Sequence, residues 1–212
     1  MTFDAVLQTL TTALARPLPG PTAQAALAPT PRREWPAGLH AAKIRHAAGL
    51  LLLFPIDNRA HVLLTVRAGT LGRHGGQVSL PGGVVEPGET PEEAALREAH
   101  EEVALPLEAV RVLGALTPLD IPISGFRLYP VVASHAARPT LTAAHGEVAR
   151  ILEVAVDDLR NPAHLRLAAR EHDGKPIMVP AFHVGGEEIW GATAMVLAEF
   201  LVLLGWPGRV SK

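Results

Sequence analysis

The sequence predicts an α+β fold, a sheet packed by a few interspersed helices. Three observations carry that expectation. Short apolar stretches of strand length outnumber helical patterns between His46 and His183. A single stretch, Thr90 to Leu105, carries strong helix signals in the middle of those strands. The chain has 212 residues, 48% of them apolar, which suits one domain with a sizeable core.

The elements follow in order. Phe3, Val6, Leu7, Leu10 and Leu14 recur at helical spacing. Six prolines between Pro17 and Pro36 predict an extended arm, so residues 1–36 read as a helix and a Pro-rich arm ahead of one domain over 37–212. His46 to Phe54 and Ala60 to Val66 read as a hairpin across the turn-forming Pro55-Ile-Asp-Asn-Arg59. A glycine-rich basic loop, Gly69 to Gly76, leads to a short strand, Gln77 to Leu80, and to Pro81-Gly82-Gly83. Strands are expected at Val110–Leu116, Leu128–Ser134 and Glu147–Val156, with a loop from Thr117 to Arg127 and a short turn or helix at Asp157–Leu159. A late hairpin, Arg166–Arg170 with Ile177–His183, turns at Asp173-Gly174, and Gly191 to Leu204 forms a second substantial helix.

The central helix is the most informative element. Thr90 is a suitable N-cap, Pro91 occupies the first helical position and Glu93 completes a capping box. Pro106 and Leu107 stop the helix. Glu98, Glu101 and Glu102 stand at i, i+3 and i+4 and so share one face. Glutamate-rich helix faces are by themselves usually only solvated. Three carboxylates on one turn repel one another, however, and a divalent cation among them relieves the repulsion. Oxygen-only ligands suit Mg²⁺ or Mn²⁺ rather than zinc.

The spacing around these acids resembles the Nudix box. Gly83, Glu89, Arg97-Glu98, Ala99, Glu101-Glu102 and Leu105 stand at its places. Ala99 is a small version of the apolar position, and Ala104 replaces the glycine. The resemblance implies an α/β/α sandwich on a mixed sheet and hydrolysis of a diphosphate with Mg²⁺ or Mn²⁺. It further implies Glu98, Glu102 and Glu101 as metal ligands, with the Gly83 carbonyl as a further contact. By the same resemblance, Arg97 and Glu89 are expected to hold the catalytic glutamates in place. The carboxylate that takes the proton from water differs among Nudix enzymes, and Glu98 is the first choice here. Glu147, ahead of a strand, is where many of these enzymes present one more acid.

A second motif precedes the first. Leu63-Leu64-Thr65, Arg67, Ala68, Gly76 and Pro81-Gly82-Gly83 recur in the order found in the coenzyme A pyrophosphatase branch of Nudix hydrolases, which they resemble. Gly72 stands where that branch usually has arginine, with Arg73 next to it, and Leu80 where it usually has an aromatic residue. Ile189-Trp-Gly-Ala-Thr193 is similar to the start of the branch's last helix. Arginine suits phosphate through its two-pronged donor geometry, and glycine lets backbone amides approach an anion. Arg67, Arg73, His74, Gln77 and Gly82 are therefore candidate substrate contacts. The implied substrate is coenzyme A or a derivative. A general nucleoside-diphosphate hydrolase (ADP-ribose or dinucleoside polyphosphates) is the second enzymatic reading, and a non-catalytic nucleotide sensor the third. The intact acidic set argues against the sensor.

Other features narrow the field. The net charge of −2 offers nothing for general binding to nucleic acid or membrane. The absence of cysteine removes disulfides and thiol chemistry and agrees with a cytoplasmic location. Met1 to Arg16 is a poor signal peptide, and Ala192 to Gly205 is too short to span a bilayer and contains Glu199. The ten histidines show no paired metal-ligand spacing. Asp120 and Ser124 lie in a loop near the expected cleft, and Trp35, Trp190 and Trp206 read as packing residues.

Overall fold

Strand β1 (Arg45–Ile56) is the axis around which the sheet is laid. The computed structural model describes residues 1–69, 75–172 and 175–207. β1 turns into β2 (Arg59–Arg67) through Asp57 and Asn58, both at positive φ (49° and 62°). This two-residue geometry matches the twist of the flanking strands, and aspartate and asparagine tolerate it. On its other edge β1 runs parallel to β7 (Phe126–His135). β7 in turn pairs antiparallel with β5 (Val110–Ala115) and β6 (Leu119–Ile121). β8 (Val148–Ala155) lines the outer edge of β2.

Two short strands sit between β1 and β2. β3 (Val78–Ser79) pairs with Thr65–Val66 of β2, and β4 (Gly82–Val84) pairs with Ala47–Gly49 of β1. Thr65 and Val66 also pair with β8, so β3 must lie on the β1 side of β2. β1 and β2 therefore part beyond Leu53 and Val62, and residues 78–84 fill the gap. This divergence brings Pro81-Gly82-Gly83 into the middle of the sheet, where the Pro81 carbonyl accepts from the Leu50 N–H at 2.8 Å.

Side chains alternate across β1 and are buried on both sides. Ala48, Leu50, Leu52 and Phe54 face Ala94, Ala95, Ala99 and Val103 of α3 (Pro91–Val103). Leu51 and Leu53 face the opposite layer, built from α1 (Phe3–Leu14) and a long apolar helix at Gly191–Leu203. A sheet covered on both faces reads as a continuous apolar run, as Leu50 to Phe54 does. The result is the expected α/β/α sandwich on a mixed sheet.

Three stretches depart from expectation. The Pro-rich segment is not wholly extended: α2 (Gly20–Ala25) forms within it, with prolines only in the positions that open the helix. Its residues Ala23 and Gln24 are buried, as are the following Leu27 and Ala28. The expected loop from Thr117 to Arg127 contains β6, and Pro118 and Pro122 flank this edge strand without interrupting it. After α4 (Val156–Arg160), the late hairpin of β9 (Leu165–His172) and β10 (Lys175–Val184) gains a third strand, β11 (Glu187–Trp190). Its turn is Gly185-Gly186, both at positive φ, a hairpin signal that the polar Glu187-Glu188 obscured. β11 runs directly into the last helix, α5 (Gly191–Leu203), and Phe182 and Ile189 join the core beneath it. Among the described residues, no helix is long and apolar enough to cross a membrane.

Candidate functional site

α3 begins as its sequence dictates. The Thr90 hydroxyl accepts from the Glu93 N–H at 3.2 Å, and the Glu93 carboxylate accepts from the Thr90 N–H at 2.8 Å. Ala104 ends the helix in the left-handed region (φ 51°), and the Leu105 N–H reaches back to the Ala99 carbonyl at 3.5 Å. This is the turn glycine usually makes, so the alanine keeps the geometry under strain.

Arg97 organises the helix surface. Its Nε and one terminal nitrogen grip both oxygens of Glu89, at 2.6 and 3.0 Å. That nitrogen also donates to the Val84 carbonyl at 3.2 Å, and the other donates to Glu98 at 3.0 Å and Glu101 at 3.5 Å. A guanidinium has five N–H donors, and here each has an acceptor. The Arg97 hydrogen bond, with one from the Glu86 N–H, lowers the Glu89 carboxyl to about 2, and Arg97 is raised in turn. Glu89 is thus a fixed anion and Arg97 a fixed cation. The sequence reveals both charges but not the Val84 carbonyl, a backbone partner that only the fold supplies.

Glu98 and Glu102 line the inner side of the helix. The Glu98 carboxylate lies on the α-carbon of Gly83, where a β-carbon would come within 2.3 Å of it. Gly82 is equally confined, since a β-carbon there would meet the Ala48 carbonyl oxygen at 2.2 Å. Glu102 is buried, 6% exposed. It accepts from the Gly82 N–H at 3.3 Å and stands 3.9 Å from the Arg67 guanidinium. Burial pushes its carboxyl up to about 7; Gly82 and Arg67 oppose that rise, and Glu98 and Glu147 add to it. An acid that holds a proton near neutrality beside other carboxylates is a mark of a reactive site.

The remaining residues divide. Arg67 closes β2, donating its N–H to the Gln77 carbonyl at 3.0 Å, which brackets the loop between them. Glu147 is exposed just before β8, and its carbonyl accepts from the Ala68 N–H at 2.8 Å. The Ala144 N–H donates to the Glu102 carbonyl at 2.8 Å and ties the same segment to α3. Glu101 is set apart: its side chain is 56% exposed and it leans on Arg97. Helical spacing places it near Glu98 and Glu102 but does not show that it turns outward. Arg73 and His74 lie outside the described residues. Asp120 holds Arg127 at 2.7 and 3.2 Å, and this pairing lowers the Asp120 carboxyl.

Among the described residues, no three acidic or imidazole side chains already form a cage for a cation. The donor chemistry nevertheless fits one. Glu98 and Glu102 supply carboxylate oxygens beside glycines 82 and 83, where no β-carbon would fit, and Glu102 is buried with its carboxylate accepting from the Gly82 N–H. Such a set suits a hard divalent ion with incoming oxygen ligands.

Comparison with known proteins agrees with this geometry. A NUDIX domain family model matches residues 43–176. The chain is 34% identical over 165 residues to an uncharacterized Nudix hydrolase, NudL, of Enterobacter sp. (strain 638), covering 76% of this chain and 84% of that protein. It is 36% identical over 172 residues to the NudL of Klebsiella pneumoniae (strain 342), covering 78% and 86%. Its fold is similar to the crystal structure of a Nudix hydrolase, RenU, from M. smegmatis, with TM-score 0.52 and 26% identity, covering 76% of this chain and 84% of that one. With the box residues gathered around Arg97 and a family match spanning well over half the chain, this protein belongs to the Nudix hydrolase family.

Proposed function

We propose that the protein cleaves the diphosphate bridge of coenzyme A or one of its derivatives, giving 3′-phospho-AMP and 4′-phosphopantetheine or its acyl form. The observation that carries the hydrolytic part is the pairing of Glu98 and Glu102 across Gly82-Gly83, with Arg97 clamping the helix behind them. The coenzyme A part rests on the run from Leu63 to Gly83, whose resemblance to the coenzyme A branch ends on those same glycines.

In this reading Glu98 and Glu102 hold Mg²⁺ or Mn²⁺, with the Gly83 carbonyl, Glu101 and Glu147 as further oxygen donors. The cation supplies charge cancellation on the diphosphate and polarises phosphorus toward water. The protein's own groups do the rest. Arg97 and Glu89 keep the Glu98 carboxylate in one position. Glu98 accepts the proton from the attacking water. Glu102 is neutral or charged according to what stands beside it, because its proton leaves near neutrality. Arg67, at the rim, offers its guanidinium to a phosphate oxygen, and Arg73, His74, Gln77 and Gly82 are further proposed substrate contacts.

The test is a panel of diphosphates offered to the purified protein with Mg²⁺ or Mn²⁺, with products separated by chromatography. Coenzyme A should be cut with kcat/KM about ten- to a hundredfold above that for dephospho-coenzyme A, the range for losing one charge-assisted contact to the 3′-phosphate. Arg73→Ala should narrow that gap, while Glu98→Gln lowers both rates alike. Preference for ADP-ribose over both thiol substrates would replace coenzyme A with a general nucleoside-diphosphate hydrolase.

A further inference from the structure

α5 is the most apolar helix of the chain, and every residue from Thr193 to Leu201 is buried. Glu199 lies within that run and is fully buried. One of its oxygens accepts from the Gly20 N–H at 3.1 Å, the Thr117 N–H at 3.3 Å and the Thr117 hydroxyl at 2.6 Å. The other accepts from Gln24 Nε2 at 2.9 Å. Gln24 also donates to the Thr117 carbonyl at 2.9 Å. The carboxylate therefore joins three distant stretches: the start of α2, the turn between β5 and β6, and α5. Four neutral donors on one carboxylate are needed to offset its loss of water. Gly20 takes part because it adopts φ 56°, a left-handed backbone that glycine reaches without strain.

The segment that Glu199 anchors has a second attachment. Beyond α2, Leu27 and Ala28 enter the main core. Thr30 then pairs with Met178 of β10, its N–H donating to the Met178 carbonyl at 2.8 Å and its carbonyl accepting from the Met178 N–H at 2.9 Å. Residues 20–30 thus cross from the edge of the main sheet to the three-stranded sheet, with a polar lock at one end and a β-bridge at the other.

We infer that residues 20–30 are a strap, locked by Glu199, that couples the β9–β11 sheet to the β5–β6 edge of the main sheet so that the two ends open together. Met178 makes its bridge to Thr30 at the far end of the strap, but β10 and β11 also pack directly on α5, so Gln24→Ala, which leaves Glu199 and α5 unaltered, is the variant that separates the strap from α5. Glu199→Gln preserves shape but turns one acceptor oxygen into an amide NH2 group facing existing donors. Gln24→Ala removes a donor from the strap and leaves α5 intact.

Amide hydrogen exchange read by NMR on the full chain tests this. In Glu199→Gln the amides of Gln24 to Leu27 and of Met178 should both exchange about tenfold faster or more, while Leu51 to Leu53 keep their protection, the pattern of a sub-global opening. Should that variant not fold, Gln24→Ala carries the same expectation. Three results overturn the inference: Met178 keeping its rate while α2 loosens, no change at either end, or an equal rise throughout β1 and β7. None of these readouts depends on the hydrolytic reading of the site.

Discussion

Replacing Glu102 by glutamine removes a charge that the fold holds at a penalty. The Glu102 carboxyl moves from an ordinary value of 4.5 in the unfolded chain to about 7 in the fold, chiefly through burial. The sign follows from proton counting. Between those two values the folded protein binds more protons than the unfolded chain, so stability falls as pH rises through that window. The penalty is absent well below pH 4.5 and complete above about pH 7. At 1.36 kcal/mol per unit, it amounts to roughly 1 kcal/mol at about pH 5 and about 3 kcal/mol at about pH 8. Little screening reduces it, because Glu102 is only 6% exposed. Glu102→Gln should therefore be more stable than the parent in urea unfolding with EDTA at about pH 8, by about 3 kcal/mol, with most of the gap closing at about pH 5. If Glu102 holds the cation as proposed, excess Mg²⁺ or Mn²⁺ should stabilise the parent and not the variant. Equal stability at about pH 8, or a variant weaker at both pH values, would refute the placement of Glu102 as a desolvated acid.

Three further outcomes follow from the helix and its glycines. Thr90→Ala should lower stability by about 1 kcal/mol in urea unfolding through loss of the cap, while the pH profile of hydrolysis stays unchanged. Ala104→Gly should raise stability by about 0.5–1 kcal/mol in the same assay, because glycine adopts the left-handed C-cap without strain but loses more entropy on folding. Gly83→Ala should fold, by circular dichroism, yet lose about a hundredfold in kcat, since its β-carbon must push the Glu98 carboxylate aside.

The residues legible in the sequence were those whose signals are local. The capping box, the Pro91 start and the box spacing placed α3, and alternation with turn chemistry placed the β1–β2 hairpin. What escaped depends on partners far along the chain. α2 was hidden by prolines that only open it, and its burial follows from Glu199, which lies 179 positions from Gly20. β6 is held by pairing with β7 rather than by its own propensity, and β11 by a Gly-Gly turn ahead of two glutamates. In the site, spacing put Glu98, Glu101 and Glu102 on one side of the helix. It could not separate buried Glu102 from exposed Glu101, because that difference is made by Gly82, Gly83 and Arg67, brought in by the divergence of β1 and β2.

The most direct measurement is the turnover of coenzyme A by the parent, Glu98→Gln and Glu102→Gln, each with Mg²⁺ or Mn²⁺ and again in excess EDTA. The parent should release 3′-phospho-AMP and 4′-phosphopantetheine only with the cation present. Each variant should lose about two to four orders of magnitude in kcat, the range for removing one strong electrostatic or acid–base element. Full activity in EDTA, or near-parental turnover by both variants, would contradict the assignment of Glu98 and Glu102 as the metal-holding pair.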